Sequence, residues 1–156
     1  MVIATKHFGE IELEEDKILT FDHGIFGFEN CKRYTILYNG EDENSSVISW
    51  LQSIDEVSLA LPIIQPSHVI DEYNPVIEDE LLVSLGDIKE ENIVVFLTLT
   101  VPSDLTKMTT NLKAPIIINT ENKKGCQVVI EDPMFVVKYP VFEKFQNRAK
   151  KEDGEC

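Results

Sequence analysis

The chain has 156 residues, 43% hydrophobic and 27% charged, the proportions of a folded domain long enough to bury a core rather than of a disordered segment. Fourteen Lys and Arg stand against twenty-eight Asp and Glu, a net charge of −14 with a pI near 4.5, which disfavours nucleic acid and anionic membranes as direct ligands. Such a field either steers the encounter with a basic protein or simply keeps the chain soluble.

The first residues, Met1 to His7, lack the basic leader and apolar stretch of an export signal, so a cytoplasmic location is expected. Val2 to Thr5 suits a short strand, and Gly9 a turn. Glu10 to Glu14 alternates charged and apolar residues with the period of a half-buried strand. Further strands are predicted over Lys17–Phe21 and over Tyr34–Tyr38, the latter ended by the turn dipeptide Asn39-Gly40. Val47–Ser53 and Leu59–Ile64 follow, with Pro62 demoting the second to an edge strand or a bulge.

The centre departs from this pattern. Glu78 to Gly86 predicts a short helix, with acids in its first turn, Leu81, Leu82 and Leu85 on one face, and Gly86 after its last turn. Ile93–Val101 is the most strand-like stretch, and its unbroken apolar start predicts a central strand covered on both faces. Ala114–Thr120 and Cys126–Ile130, joined by a turn at Asn122–Gly125, predict a hairpin. Phe135–Tyr139 is the last predicted strand. The expected organisation is one β-barrel-like domain over 1–142 and a polar tail over 143–156. The expected fold class is mainly β: a small antiparallel barrel or strongly bent sheet, closed to remove its edges, with one or two short helices inserted.

No catalytic constellation emerges. His7, His23 and His68 show no HxxxH or HxH spacing, and Cys31, Cys126 and Cys156 form no CxxC pair, so free thiols and no metal are expected. Gly24 to Glu29 holds two glycines spaced GxxG with large apolar residues beside them, which suits no phosphate loop. Glu41-Asp42-Glu43, Glu78-Asp79-Glu80 and Glu131-Asp132 lack calcium-loop spacing and an accompanying base or electrophile. These patterns predict neither an enzyme nor a cofactor.

Four segments stand in order along the chain: Phe21 to Glu29, Ser49 to Asp55, Met108 to Asn119 and Gly125 to Val129. They are similar, in turn, to the segments F-x-x-G-[LI]-x-G-F-E, W-L-Q-S-[LI]-D, T-x-N-L-x-A-P-[IL]-x-[IV]-N and G-x-Q-V-[VI]. In that order they resemble the bacterial flagellar assembly factor FliW family. Phe26 stands where the family often has proline, and Cys126 where it often has a basic residue. The resemblance implies a small β-barrel that binds flagellin and, alternatively, the RNA-binding repressor CsrA, so that flagellin translation follows export. The competing class is a generic acidic chaperone or regulatory module without a flagellar role.

Read as residues, Gly24 and Gly27 suit backbone turns, with Phe26 and Phe28 in or near the core. Trp50 is either a core residue or an interface anchor. Asn111 and Asn119 are expected to hydrogen-bond the backbone at a bend. The segment from Ile70 to Glu80 mixes an aromatic, aliphatics and acids, as an interface core and rim do. It makes Asp71, Glu72, Tyr73, Glu78, Asp79 and Glu80 the candidate partner-binding residues; the alternative is a solvated loop leading into a helix.

Overall fold

The computed structural model describes residues 2–5, 8–38 and 48–143. The expected turn at Asn39-Gly40, the acids Glu41 to Glu43, His7, and the tail beyond Glu143 with Cys156 lie outside the described residues. Among the described residues eleven strands occur: β1 Val2–Thr5, β2 Gly9–Glu12, β3 Leu19–Phe21, β4 Arg33–Tyr38, β5 Ile48–Ser53, β6 Ala60–Ile64, β7 Ile93–Thr100, β8 Thr109–Thr110, β9 Ile116–Asn119, β10 Lys124–Gln127 and β11 Tyr139–Pro140. Seven of them close a barrel in the order β3, β4, β5, β6, β7, β9, β10 and back to β3. Closure takes two long-range pairings. β7 pairs with β9 antiparallel, with Val95 opposite Ile117, and β10 pairs with β3 parallel, with Gly125 opposite Phe21. The fold is therefore a mainly β barrel as expected, antiparallel except for that one parallel pair. β1 and β2 form a separate hairpin, while β8 and β11 extend from the far end of β7.

The two-residue period of the barrel strands sorts their side chains into two cores, apart from a small cluster of Ile3, Leu13 and Ile54 beside the β1–β2 hairpin. Inside the barrel, Leu19, Phe21, Tyr34, Leu51, Ile63, Phe96, Ile116 and Ile118 pack together. On its outer face, Leu97, Leu99, Ile117, Cys126 and Val128 pack beneath Val69, Leu85, Phe135 and Val141. β7 faces both, with Val94 and Phe96 turned inward and Val95, Leu97 and Leu99 outward. It is covered on both sides, as its apolar run predicts. Burying one such leucine or phenylalanine contributes roughly 1.5–3 kcal/mol.

Gly125 is a packing necessity. A Cβ there would lie 2.5 Å from Cζ of Phe21, which is fully buried and fills the barrel at that level.

Three local expectations change. β6 is a barrel strand between β5 and β7, not an edge. Pro62 is tolerated because Ser53 N–H bonds the Leu59 carbonyl, and alternation along that ladder leaves the Trp50–Pro62 pair non-hydrogen-bonded. Pro62 then turns its missing N–H toward β7, whose ladder starts only at Ile63. The segment predicted as a helix is a 3-10 helix over Asp79–Leu85, with Gly86 at φ 73°. Four further single 3-10 turns occur among the described residues: Glu15–Lys17, Pro66–His68, Glu90–Asn92 and Leu105–Lys107. The last strand shrinks to Tyr139–Pro140, because the residues before it cover the outer core instead of pairing in a sheet.

Candidate groove on the acidic face

The family-like segments divide into those that hold the barrel and those that shape a surface. Gln52 is fully buried, and its amide donates to the carbonyls of Val57 (2.9 Å) and Leu59 (3.3 Å). Asp55 accepts the main-chain N–H groups of Lys32 (2.9 Å) and Arg33 (3.0 Å) and pairs with the Arg33 guanidinium at 2.9 Å. Burial opposes ionisation of Asp55, but those donors outweigh it and hold its carboxyl below the usual range. Trp50 belongs to neither core. It lies half-buried on the outer face of β5, between Leu37 and Pro62 on the neighbouring strands.

Asn111 and Asn119 have different tasks. Asn111 closes a local turn by accepting Lys113 N–H at 2.9 Å. Asn119 is buried, and its amide donates to the carbonyls of Leu85 and Asp87, both at 3.0 Å. It ties the 3-10 segment to β9.

That segment forms one wall of a groove of about 760 Å³. The wall runs from Val76 to Ser84, the facing wall from Asp22 to Phe26, and the floor from Cys126 to Glu131. The second wall depends on Gly24, which sits at φ +66° and where a Cβ would lie 2.7 Å from the main chain of Phe28 and Glu29. This turn directs Phe26 and Phe28 outward, 50% and 40% exposed. Phe26 and Phe28 are therefore not core residues: the tight 24–29 turn leaves them no interior to enter. Phe26 N–H is fixed to Gln127 Oε1 at 2.9 Å, which joins this wall to the floor.

The groove combines exposed apolar side chains with carboxylates. Phe26, Val76, Leu81, Val83 and Val129 are all exposed, and Asp22, Glu78, Glu80 and Glu131 stand among them. Asp22 pairs with Lys124 at 3.0 Å. No ion pair among the described residues involves Glu78, Glu80 or Glu131. The Cys126 thiol beneath is pushed up to about 11 by burial, against a smaller opposing effect of Ser84, so it is no ready nucleophile.

Of the six residues proposed from sequence, Glu78 and Glu80 line this groove. Asp79 is exposed beside them, and Asp71 and Glu72 are exposed further along the same segment. Tyr73 is turned inward. Its hydroxyl donates to the Leu112 carbonyl, and its ring meets Phe135 edge-on at 5.2 Å. Its hydroxyl and ring are thus engaged within the fold, and the exposed apolar surface of the groove comes from Phe26, Val76, Leu81, Val83 and Val129. Phe26 and Val76 sit in irregular stretches, and tertiary packing decides that they and the 3-10 residues Leu81 and Val83 face water. A second cavity, about 320 Å³, opens at one end of the barrel above Leu19, Ile36 and Val94. No helix among the described residues is long and apolar enough to cross a membrane.

Comparison with known proteins agrees with this arrangement. The family model described as FliW protein matches residues 2–141. The chain is 95% identical over 156 residues, all of both chains, to the flagellar assembly factor FliW of Lachnoclostridium phytofermentans. It is 53% identical over 144 residues to that of Lachnospira eligens, covering 92% of this chain and 95% of that one. A crystal structure of a flagellar assembly factor FliW superposes with a TM-score of 0.82 at 30% identity, covering 91% of this chain and 97% of the other. With the family segments in order and the barrel they build in place, the chain belongs to the FliW family, and its role lies in flagellar assembly.

Proposed function

We propose that this chain is a cytoplasmic, non-enzymatic partner-switching factor that binds flagellin and, alternatively, the translational repressor CsrA. When flagellin is exported, the freed factor captures the repressor and relieves its hold on flagellin translation, so the output follows relative affinities and concentrations. The observation that carries this reading is the acidic groove: exposed apolar side chains for contact area, bordered by carboxylates that select a basic surface. The acids from Asp71 to Glu80 extend the same negative field, which would also repel RNA held by a bound repressor.

The test is a titration of each purified partner at moderate salt. Reversing Asp71, Glu72, Glu78 and Asp79 to lysine should weaken capture of the repressor about thirtyfold, taking about 0.5 kcal/mol for each exposed charge. Competition between flagellin and the repressor for the unmodified chain should be mutual. Unchanged affinity removes the acidic surface from the reading, and simultaneous binding of both partners at full affinity removes partner switching.

A further inference from the structure

The floor of the groove is an interrupted sheet edge. On one side, Val128 N–H bonds the Pro115 carbonyl at 3.2 Å and Ile130 N–H bonds the Lys113 carbonyl at 2.7 Å. These bonds continue the register of β10 on β9 beyond the last regular pair, Gln127 with Ile116. Side chains follow the same alternation, with Cys126, Val128 and Ile130 buried in the outer core and Val129 and Glu131 exposed. The main-chain N–H and C=O groups of Val129 and Glu131 therefore point the opposite way, to the side where β3 pairs with Lys124 and Gly125. β3 ends at Phe21, and the chain turns away at Asp22 to Gly24. No hydrogen bond to the main chain of Val129 or Glu131 occurs among the described residues. The lane that β3 vacates is the groove.

We propose that the groove takes an extended peptide segment of a partner as an added strand along residues 127–131. Five residues of edge span roughly 16 Å, and the two open positions present hydrogen-bonding groups in strand register. The incoming strand's alternate side chains would meet Leu81, Val83 and Phe26, so they should be apolar. Glu78, Glu80 and Glu131 call for lysine or arginine at the flanks, since neither is among the residues lining the groove. Main-chain pairing provides binding that tolerates different sequences, and the pockets and charges provide the choice. This inference rests on the groove's being the partner surface proposed above, but it specifies a binding mode that can fail separately.

The probe is a capped heptapeptide with isoleucine at alternate positions and lysine at the others, titrated into the full chain. Two N-methylated versions, blocked on alternate sets of amides, keep the same side chains. Binding of the parent peptide should weaken at least tenfold in one methylated version, and amide exchange at Val129 and Glu131 should slow at saturation. Val129→Pro, checked by circular dichroism for folding, should weaken the parent peptide at least tenfold. If both methylated versions bind as tightly as the parent, or the two amides exchange unchanged at saturation, strand addition is wrong. No binding of any of the three peptides overturns it as well. The exchange measurement uses the unmodified chain, so it decides even if Val129→Pro does not fold. If charge reversal weakens a protein partner while that partner leaves both amides unprotected, the groove reading stands and the binding mode falls.

Discussion

Asn119 is the polar side chain that holds the 3-10 wall of the groove, from Val76 to Ser84, against β9. It is 1% exposed, donates to the Leu85 and Asp87 carbonyls at 3.0 Å each, and accepts Glu121 N–H at 3.1 Å. Asn119→Ala removes all three bonds. The Leu85 carbonyl keeps the Asn122 amide at 2.7 Å, while Asp87 and Glu121 are exposed enough to turn to water. At about 1 kcal/mol per lost bond, with a small additional cavity effect, the expected loss is about 3 kcal/mol. Urea unfolding followed by tryptophan fluorescence should show a midpoint lowered by about 1–2 M at unchanged slope.

Asn119→Asp sharpens the test because it keeps volume and one acceptor. It sets a carboxylate oxygen 3.0 Å from two carbonyl oxygens, where only the protonated acid can donate. The folded-state pKa of that acid must then rise above the unfolded value near 4. Its penalty should be least below that value and should grow as pH rises through it. At neutral pH, amide exchange at Leu85 and Gly86 should accelerate as the wall loosens. A loss below about 1 kcal/mol for Asn119→Ala, or an Asn119→Asp penalty that grows toward acid, would refute the reasoning.

Three other substitutions test separate parts of the structure. The Tyr34 hydroxyl is buried without a hydrogen-bond partner among the described residues, and the ring's edge-on contact with Phe21 survives its removal. Tyr34→Phe should be neutral or stabilising by about 1 kcal/mol; a lowered thermal midpoint would show a hidden partner. Gly125→Ala should cost about 1–3 kcal/mol through its clash with Phe21, and Phe21→Leu in the same chain should restore part of it. A Gly125→Ala midpoint equal to wild type would contradict the packing. Asp55 has its folded pKa lowered, so its contribution is present above the ordinary carboxylate value and is lost as pH falls through the folded one. Asp55→Asn should therefore destabilise at pH 7 and converge with wild type in acid, and a gap independent of pH would contradict the pairing with Arg33.

Much of the architecture is local in origin. β-branched and aromatic runs mark β4, β5, β7, β9 and β10, because strand formation needs only near neighbours of the right type and period. The family segments identify the protein class in part for the same reason: they carry a turn glycine and a buried glutamine whose tasks are local or nearly so. Closure is another matter. The parallel β3–β10 pair joins residues about a hundred positions apart, and no periodicity in either strand announces its partner. Pro62 lies in a barrel strand because its missing N–H falls where the next ladder has not yet begun, a fact of register.

The candidate groove divides in the same way. The acids from Asp71 to Glu80 are visible in composition, because charge is carried by residue type alone. Tyr73 resembles an anchor in sequence, yet tertiary packing turns it onto Phe135 and the Leu112 carbonyl. The exposed set of Phe26, Val76, Leu81, Val83 and Val129 comes from stretches well separated in the chain. They meet because Gly24 bends one wall, Asn119 fixes the other, and β3 stops at Phe21 instead of continuing beside the floor. The sequence by itself determined the strands, the charge and the family. Tertiary structure decided which apolar side chains face water and which sheet edge stays open, since both depend on where distant segments stop.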